Sequence, residues 1–389
     1  MKTLLVIVIC VLLFLIYNTT TLENMINIPN PTSKYSWDIN QCPYIMTENI
    51  KTVFAQNGIA FDKNKRNNKI ILPCTYDNIE KEIANMNVGS NGRVFIIHGA
   101  DQIVAKDFLW KNLVVRYGIN GSTAYTPLTY LLYDENDLKR LNKDFDNNKL
   151  YIMKKNIQRQ EGLKITNSLN EIMNNEGGYI LVQELLQNPY LLNKRKINLR
   201  IYVLVVCHEF NYEVFMYGNG FMYYTKEEFK KGTVRPEPHI TTGYIDRHVY
   251  EVNPLTHEDF RNYLDNHANR TLTNAENNVV VNGQLISEHV FGNIGQLIKD
   301  VFSWFHKKIG NKTENDKLFN QISFQLFGVD VAIDDQLHAQ IMEVNKGPDL
   351  GSKDKRDGDL KKGLILDILR TTGVVHNSDS NKFIKLIEV

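Results

Sequence analysis

The segment Leu199-Arg-Ile-Tyr-Val-Leu-Val-Val206 contains one charged residue, Arg200, in an otherwise apolar, β-branched run. A run of this kind, without apolar–polar alternation, is expected to be a central strand buried on both faces. A strand buried on both faces needs layers above and below it, as in an ordinary folded protein with a real core. The 389 residues can supply that: at roughly 150 residues per domain they leave room for two or three.

Other elements can be placed around this strand. Ile70–Leu72, Arg93–Ile97, Leu150–Met153 and Tyr179–Gln183 read as short strands, and Ile79–Met86 and Ile103–Leu113 as helices. Leu285–Ile309 carries Ile294, Leu297, Ile298, Val301, Phe302 and Phe305 along one helical stripe. Glu213–Tyr217 and Phe221–Tyr224, separated by Gly218-Asn-Gly220, are expected to form a hairpin with Asn-Gly turn chemistry. Phe327–Ile333 and Ala339–Val344 are expected to form a second hairpin around Asp334-Asp335.

Composition removes some functions. Forty-five Lys and Arg face forty-four Asp and Glu, a net charge of +1, so the basic excess of a nucleic-acid-binding domain is missing. Cys10, Cys42, Cys74 and Cys207 show no zinc-site spacing; a Cys42–Cys74 bridge is compatible with the sequence but not specified by it. Residues 3–22 are uncharged and Leu4–Tyr17 almost wholly apolar, with no small-residue cleavage pattern following. This predicts an uncleaved signal anchor over 1–22 and a membrane-anchored protein, its side of the membrane left open, with a linker over 23–36.

The second hairpin carries the most chemistry. Glu343 and Asn345, two apart, project from one strand face, and folding the hairpin brings Asp330 beside them. Two carboxylates and an amide oxygen form a hard-oxygen set of the kind that holds Mg²⁺ on nucleotide phosphates. Acids near a hairpin often simply face water, which accounts for Asp334 and Asp335. Asp330 fits that account poorly, because Phe327, Val329, Val331 and Ile333 surround it. Lys154, Lys196 and Arg200 also enter apolar strands, where a charge is costly unless paired or facing an anion such as phosphate.

With these residues in view, VQELLQNPYLLNKRKINLRIYVLVV (182–206) and FQLFGVDVAIDDQLHAQIMEVNKGPDL (324–350) resemble the tubulin–tyrosine ligase-like family of ATP-grasp ligases. Pro238-His-Ile-Thr-Thr242, Lys106-Asp-Phe-Leu-Trp-Lys-Asn112, Pro127-Leu-Thr-Tyr130 and KKNIQRQEGLKI (154–165) resemble further family segments, in the family's order. The resemblance implies an α+β ATP-grasp fold whose two α+β subdomains clamp a nucleotide. The implied division is an amino-terminal α/β domain over 37–92, a central subdomain over 93–184 and a carboxy-terminal one over 185–389. It implies ATP and Mg²⁺ as cofactors and ligation of an amino acid to a polypeptide carboxylate through an acyl phosphate, with tubulin one candidate acceptor. Lys154 and Lys196 would contact phosphates, and the strand at Gln183, Glu184 and Leu185 would meet adenine. Asp330, Glu343 and Asn345 would hold the metal. Arg200 would face the acyl phosphate or incoming carboxylate, and His239 and Thr241 would lie near the γ-phosphate. The chain departs from the family pattern at Glu184, where a lysine is usual, and at Asn198, where an acid is usual. It departs again at Tyr223, near an expected arginine, and at Thr242, in place of asparagine. The competing reading is a membrane-tethered pseudoenzyme that binds nucleotide or a protein partner.

Overall fold

The computed structural model describes residues 33–38, 47–72, 78–156, 162–268, 270–310, 312–376 and 379–389. Among them are two sheets with helices on their faces, a mixed α/β fold. The expected central strand is there: Arg195–His208 lies between antiparallel neighbours Asn211–Thr225 and Ile322–Ile333 in the larger sheet.

Both faces of this strand are covered, for different reasons. Its odd positions Ile197, Leu199, Ile201, Val203 and Val205 pack under the Ile286–Phe305 helix, whose stripe of Ile294, Ile298, Val301, Phe302 and Phe305 is buried as the sequence spacing required. Its even positions split. Leu204 and Val206 join a second core with Leu364, Ile365 and Ile368 of the Lys355–Thr371 helix and Val53 and Phe54 of the Glu48–Gln56 helix. Lys196, Asn198 and Arg200, toward the other end, are polar and lead out of that core.

The amino-terminal strands Ser36–Asp38, Ala60–Phe61 and Lys69–Ile71 extend this same sheet through the parallel strand Arg93–Val94, which pairs with Ile322–Ser323. The smaller sheet is antiparallel and comes from Thr129–Leu131, Leu181–Glu184, Tyr151–Lys154 and Leu163–Thr166. The segment 239–242 reaches both sheets. Ile240 packs against Leu150, Ile152, Ile165 and Leu185 around the smaller sheet, while Thr241–Thr242 pairs with Tyr224–Thr225 of the larger.

Three expectations need correction or restriction. Gly218-Asn219-Gly220 is not a turn: Asn211–Thr225 is one strand, and its turn partner is the Glu209-Phe210 corner, where Glu209 has φ 51°. Asn219 forms a bulge instead, with its side-chain oxygen accepting from Gly220 N (2.9 Å) and Glu258 N (3.4 Å). The pairing jumps from Ile201–Gly220 to Val203–Met216 across it. The membrane-anchored localisation is also corrected: no helix among the described residues is long and apolar enough to cross a membrane. The stretch 1–22 on which that localisation rested lies outside the described residues, as do Cys42, Cys74 and residues 157–161 of the expected phosphate loop.

The bulge makes a testable demand on Gly220, where a Cβ would stand 2.3 Å from the Arg200 carbonyl oxygen and 2.3 Å from the His257 ring. Neither backbone nor buried ring can yield, so Gly220→Ala is expected to lower unfolding free energy by about 1–3 kcal/mol. Gly295→Ala, in a helix where the new methyl meets only Met216 Cε at 3.7 Å, should be neutral or stabilising by up to about 1 kcal/mol. Urea denaturation of both variants checks this, and equal effects would remove the role given to the bulge.

Candidate active site

The even face of the central strand meets the second hairpin in register. Arg200 stands directly opposite Asp330, Asp330 opposite Glu343, and Gly328 opposite Asn345. Asp330, Glu343 and Asn345 therefore share one sheet face, as the two-residue spacing predicts. A bulge after Asp330 shifts the later pairs, so Val331 faces Ile341.

The acids of this row are met by cations. Arg200 donates from Nε (2.6 Å) and Nη2 (3.1 Å) to both oxygens of Asp330, and its guanidinium lies 5.0 Å from the Tyr223 ring centroid. Burial raises the Asp330 carboxyl above its ordinary value, opposed by Arg200 and aided by Glu343. Burial works against the Arg200 charge, but Asp330 and Tyr223 outweigh it and hold the guanidinium well above its usual pKa. Glu343 pairs with Lys106 Nζ at 3.4 Å. Asn345 Nδ2 reaches the Gly328 carbonyl at 3.5 Å, which leaves its amide oxygen uncommitted. Arg200, expected to face a substrate anion, has its bidentate edge on Asp330 in this structure. Among the described residues no three His, Cys, Asp and Glu side chains are grouped to hold an ion. The donor set that could do so combines Asp330 and Glu343 with the Asn345 amide, whose oxygens suit a hard cation.

The second half of the site comes from the smaller sheet. Lys154, at the end of Tyr151–Lys154, is buried and donates to Gln183 Oε1 at 2.7 Å. Gln183 Nε2 donates in turn to Thr129 Oγ1 (2.9 Å) and Thr126 Oγ1 (3.3 Å), which fixes which end of the amide faces the lysine. Lys106, Lys154, Gln183, Thr126, Thr129 and Glu343 line one pocket where the two sheets meet. Burial brings the Lys154 ammonium down to about 8, with Glu343 opposing and Lys106 and Lys196 adding to the fall.

Lys196 is buried without a countercharge among the described residues. The residue is 5% exposed, burial brings its pKa to about 8, and it makes no hydrogen bond or ion pair with any described residue. Two more polar groups in the neighbourhood are unanswered: Asn198 Oδ1, two residues along the same face, and His239 Nδ1. The His239 ring is buried with Nε2 2.7 Å from the Thr233 carbonyl, and burial lowers its pKa, with Lys196 contributing. An Nε2–H donating to that carbonyl leaves Nδ1 as a bare acceptor. Thr241 lies in the short strand beside it.

The adenine-side expectations fare differently. Glu184 pairs with Lys149 at 3.0 Å and donates its N–H to the Leu128 carbonyl (2.9 Å). Leu185 donates its N–H to Leu150 O (2.9 Å) and accepts from Gln187 Nε2, so its backbone is committed within the protein. Gln183 contributes its side chain, as the partner of Lys154. Sequence reasoning missed Lys106, Thr126 and Thr129 as site residues. Lys106 carried one local signal: a cation in the first turn of the Lys106–Ser122 helix opposes the helix dipole and needs another reason to be there.

Comparison with known proteins bears on the whole arrangement. The sequence model of the tubulin-tyrosine ligase family matches residues 88–382. The chain is 22% identical over 297 residues to tubulin polyglutamylase TTLL7 of Mus musculus, covering 73% of this chain and 32% of that protein. It is 24% identical over 288 residues to a probable beta-tubulin polyglutamylase of Tetrahymena thermophila, covering 70% and 23%, respectively. It is 25% identical over 281 residues to tubulin polyglutamylase ttll-4 of Caenorhabditis briggsae, covering 71% and 45%. The chain thus spans a quarter to a half of the length of these relatives. The matched region contains both sheets' site residues, from Lys106 to Asn345, and on that match the chain belongs to the tubulin-tyrosine ligase family.

Proposed function

We propose that this chain is an ATP-dependent ligase that joins the amine of an amino acid to a carboxylate of a polypeptide. The observation that carries the reading is the meeting of two buried, weakly paired or unpaired lysines with two carboxylates. Lys154, from the smaller sheet, shares a pocket with Glu343, which stands opposite Asp330, and Lys196, from the central strand of the larger sheet, lies near enough to Lys154 to lower its pKa. Buried cations of this kind are stable partners for phosphate. The two sheets correspond to the two halves of an ATP-grasp clamp, with residues 239–242 running between them.

In this reading Lys154 and Lys196 hold the nucleotide phosphates, and Gln183 aims Lys154. Asp330, Glu343 and the Asn345 amide oxygen hold Mg²⁺, in competition with the Arg200 and Lys106 contacts. Mg·ATP supplies a phosphoryl group to the acceptor carboxylate, which makes an acyl phosphate open to attack by the amine. Arg200, which bonds Asp330 in this structure, would stabilise the carboxylate or its phosphorylated form wherever Asp330 is otherwise engaged. His239 Nδ1 and Thr241 lie on the phosphate side. The acceptor is a protein, and tubulin is the first candidate because the relatives named above modify it. A second reading, a nucleotide-binding pseudoenzyme, draws support from the bidentate Arg200–Asp330 pair and from Asn198 and Tyr223.

ADP release by the full chain, with acidic tubulin-tail peptides and a panel of amino acids including glutamate, decides between them. Amino-acid-dependent ADP and a peptide mass increased by one residue are expected; Mg·ATP binding without either product leaves the pseudoenzyme. Replacing either buried cation should weaken nucleotide binding. Lys154→Met and Lys196→Met are each expected to raise the Kd for Mg·ATP by roughly ten- to hundredfold, the worth of one charge-assisted contact. Isothermal calorimetry measures this, and unchanged affinity in both variants would remove the phosphates from the lysine pocket.

The same lysines set a pH dependence. Only the protonated ammonium attracts phosphate, and both groups titrate near 8 in the free protein. Affinity for Mg·ATP should therefore be complete below about pH 7 and fall as the pH rises through 8. A flat Kd between pH 7 and 9.5 would contradict the assignment.

A further inference from the structure

A second cation, Lys353, lies close to the Tyr223 ring that Arg200 also meets. At Gly243 a Cβ would stand 2.8 Å from Tyr223 Cε1 and 3.0 Å from Lys353 Nζ, so the tyrosine edge and the lysine head converge on one backbone position. Lys353 Nζ donates to the Gly243 carbonyl at 2.7 Å and lies 4.1 Å from the centroid of the exposed Tyr244 ring. Gly243 directly follows the Thr241–Thr242 strand, so the wall beside Lys353 continues the segment that carries His239.

The charges around Lys353 are matched to one another. Arg247 pairs with Asp354, Arg356 with Asp259 at 2.7 Å, and Lys361 with Asp357 at 3.1 Å. Lys353 makes no ion pair with a described residue, and its head spends one of three donors on a neutral carbonyl. Burial and the nearby Lys361 lower its pKa, while Asp357 and Asp349 act the other way. Arg200, which meets the same Tyr223 ring, already has Nε and Nη2 on Asp330.

We infer that Lys353, flanked by the Tyr223 and Tyr244 rings, binds the α-carboxylate of the amino acid whose amine is ligated. The inference rests on the ligase reading above and specifies its amine subsite. An ammonium with free donors between two aromatic surfaces suits a small, singly charged carboxylate. The recognised group is the α-carboxylate and not a side-chain acid, because it is the anion every amino-acid substrate carries beside its reacting amine.

The experiment compares amino acids with their α-amides on the full chain. With wild type, the preferred amino acid should support ADP release and its α-amide should require at least tenfold more for the same rate, whereas amidation of a side-chain carboxylate should be milder. Lys353→Met should raise KM for the amino acid at least tenfold while leaving the Kd for Mg·ATP unchanged, and Lys353→Arg should restore most of the loss. Equal use of acid and α-amide by wild type, or a KM within twofold of wild type in Lys353→Met, overturns the inference while the ligase reading stands. Absence of amino-acid-dependent ADP release in wild type overturns the ligase reading itself, and the amine subsite with it. The α-amide comparison needs no variant, so a misfolded Lys353→Met does not blunt the test.

Discussion

A charge on the central strand of a sheet has to be answered by the strands beside it. Here Arg200 is answered by Asp330 on the next strand, and Asp330 faces Glu343 on the strand beyond. Glu343 in turn meets Lys106 from a helix of the other half. This row, two acids held between two bases, ties the large sheet to the elements that carry the smaller one. A buried pair of this kind is weak evidence for stability, since desolvation consumes most of the Coulomb energy. Its consequence is register: a one-residue slip would turn Arg200 into the apolar layer under the Ile286–Phe305 helix.

Against this matched row, Lys196 stands out because nothing matches it. Lys154 has a neutral amide, and Lys196 has no partner among the described residues. Desolvation of both depresses their pKa values to about 8, so the fold keeps them charged at neutral pH only narrowly. Such a site gains when an anion enters it, because the ligand provides the countercharge that the protein withholds. On the proposed reading, the stability forgone at Lys196 would reappear as affinity for phosphate.

Much of this was readable from residues alone, for identifiable reasons. The Leu199–Val206 strand, the late hairpin and the Leu285–Ile309 helix announce themselves because a strand buried on two faces and a helix buried on one leave distinct spacings of apolar residues. The shared face of Asp330, Glu343 and Asn345 followed from the alternation of side chains in a hairpin. What could not be read is what depends on register and on distant partners. The Arg200–Asp330 bond joins residues far apart in the chain, and Lys106 acquires its meaning only from Glu343. The Asn219-Gly220 misreading has a different cause: Asn and Gly favour a turn and a bulge alike, and the choice was made by the Glu258 backbone N–H donating to Asn219 Oδ1.

The segment at 239–242 explains why the site residues sit where they do. Ile240 is sunk among apolar residues of the smaller sheet, while Thr241 and Thr242 are paired into the larger. His239, between them and buried, is held by a backbone carbonyl at one nitrogen and left open at the other. A linker so anchored at both ends limits how far the two sheets can separate, and it carries polar groups along the junction whatever the separation. Lys196 acts on His239 at one end of this stretch and Lys353 bonds the Gly243 carbonyl at the other. On the proposed reading, the specificity of the amine is a local property of residues 223, 243, 244 and 353, separable from the proposed nucleotide contacts at 154, 183 and 196.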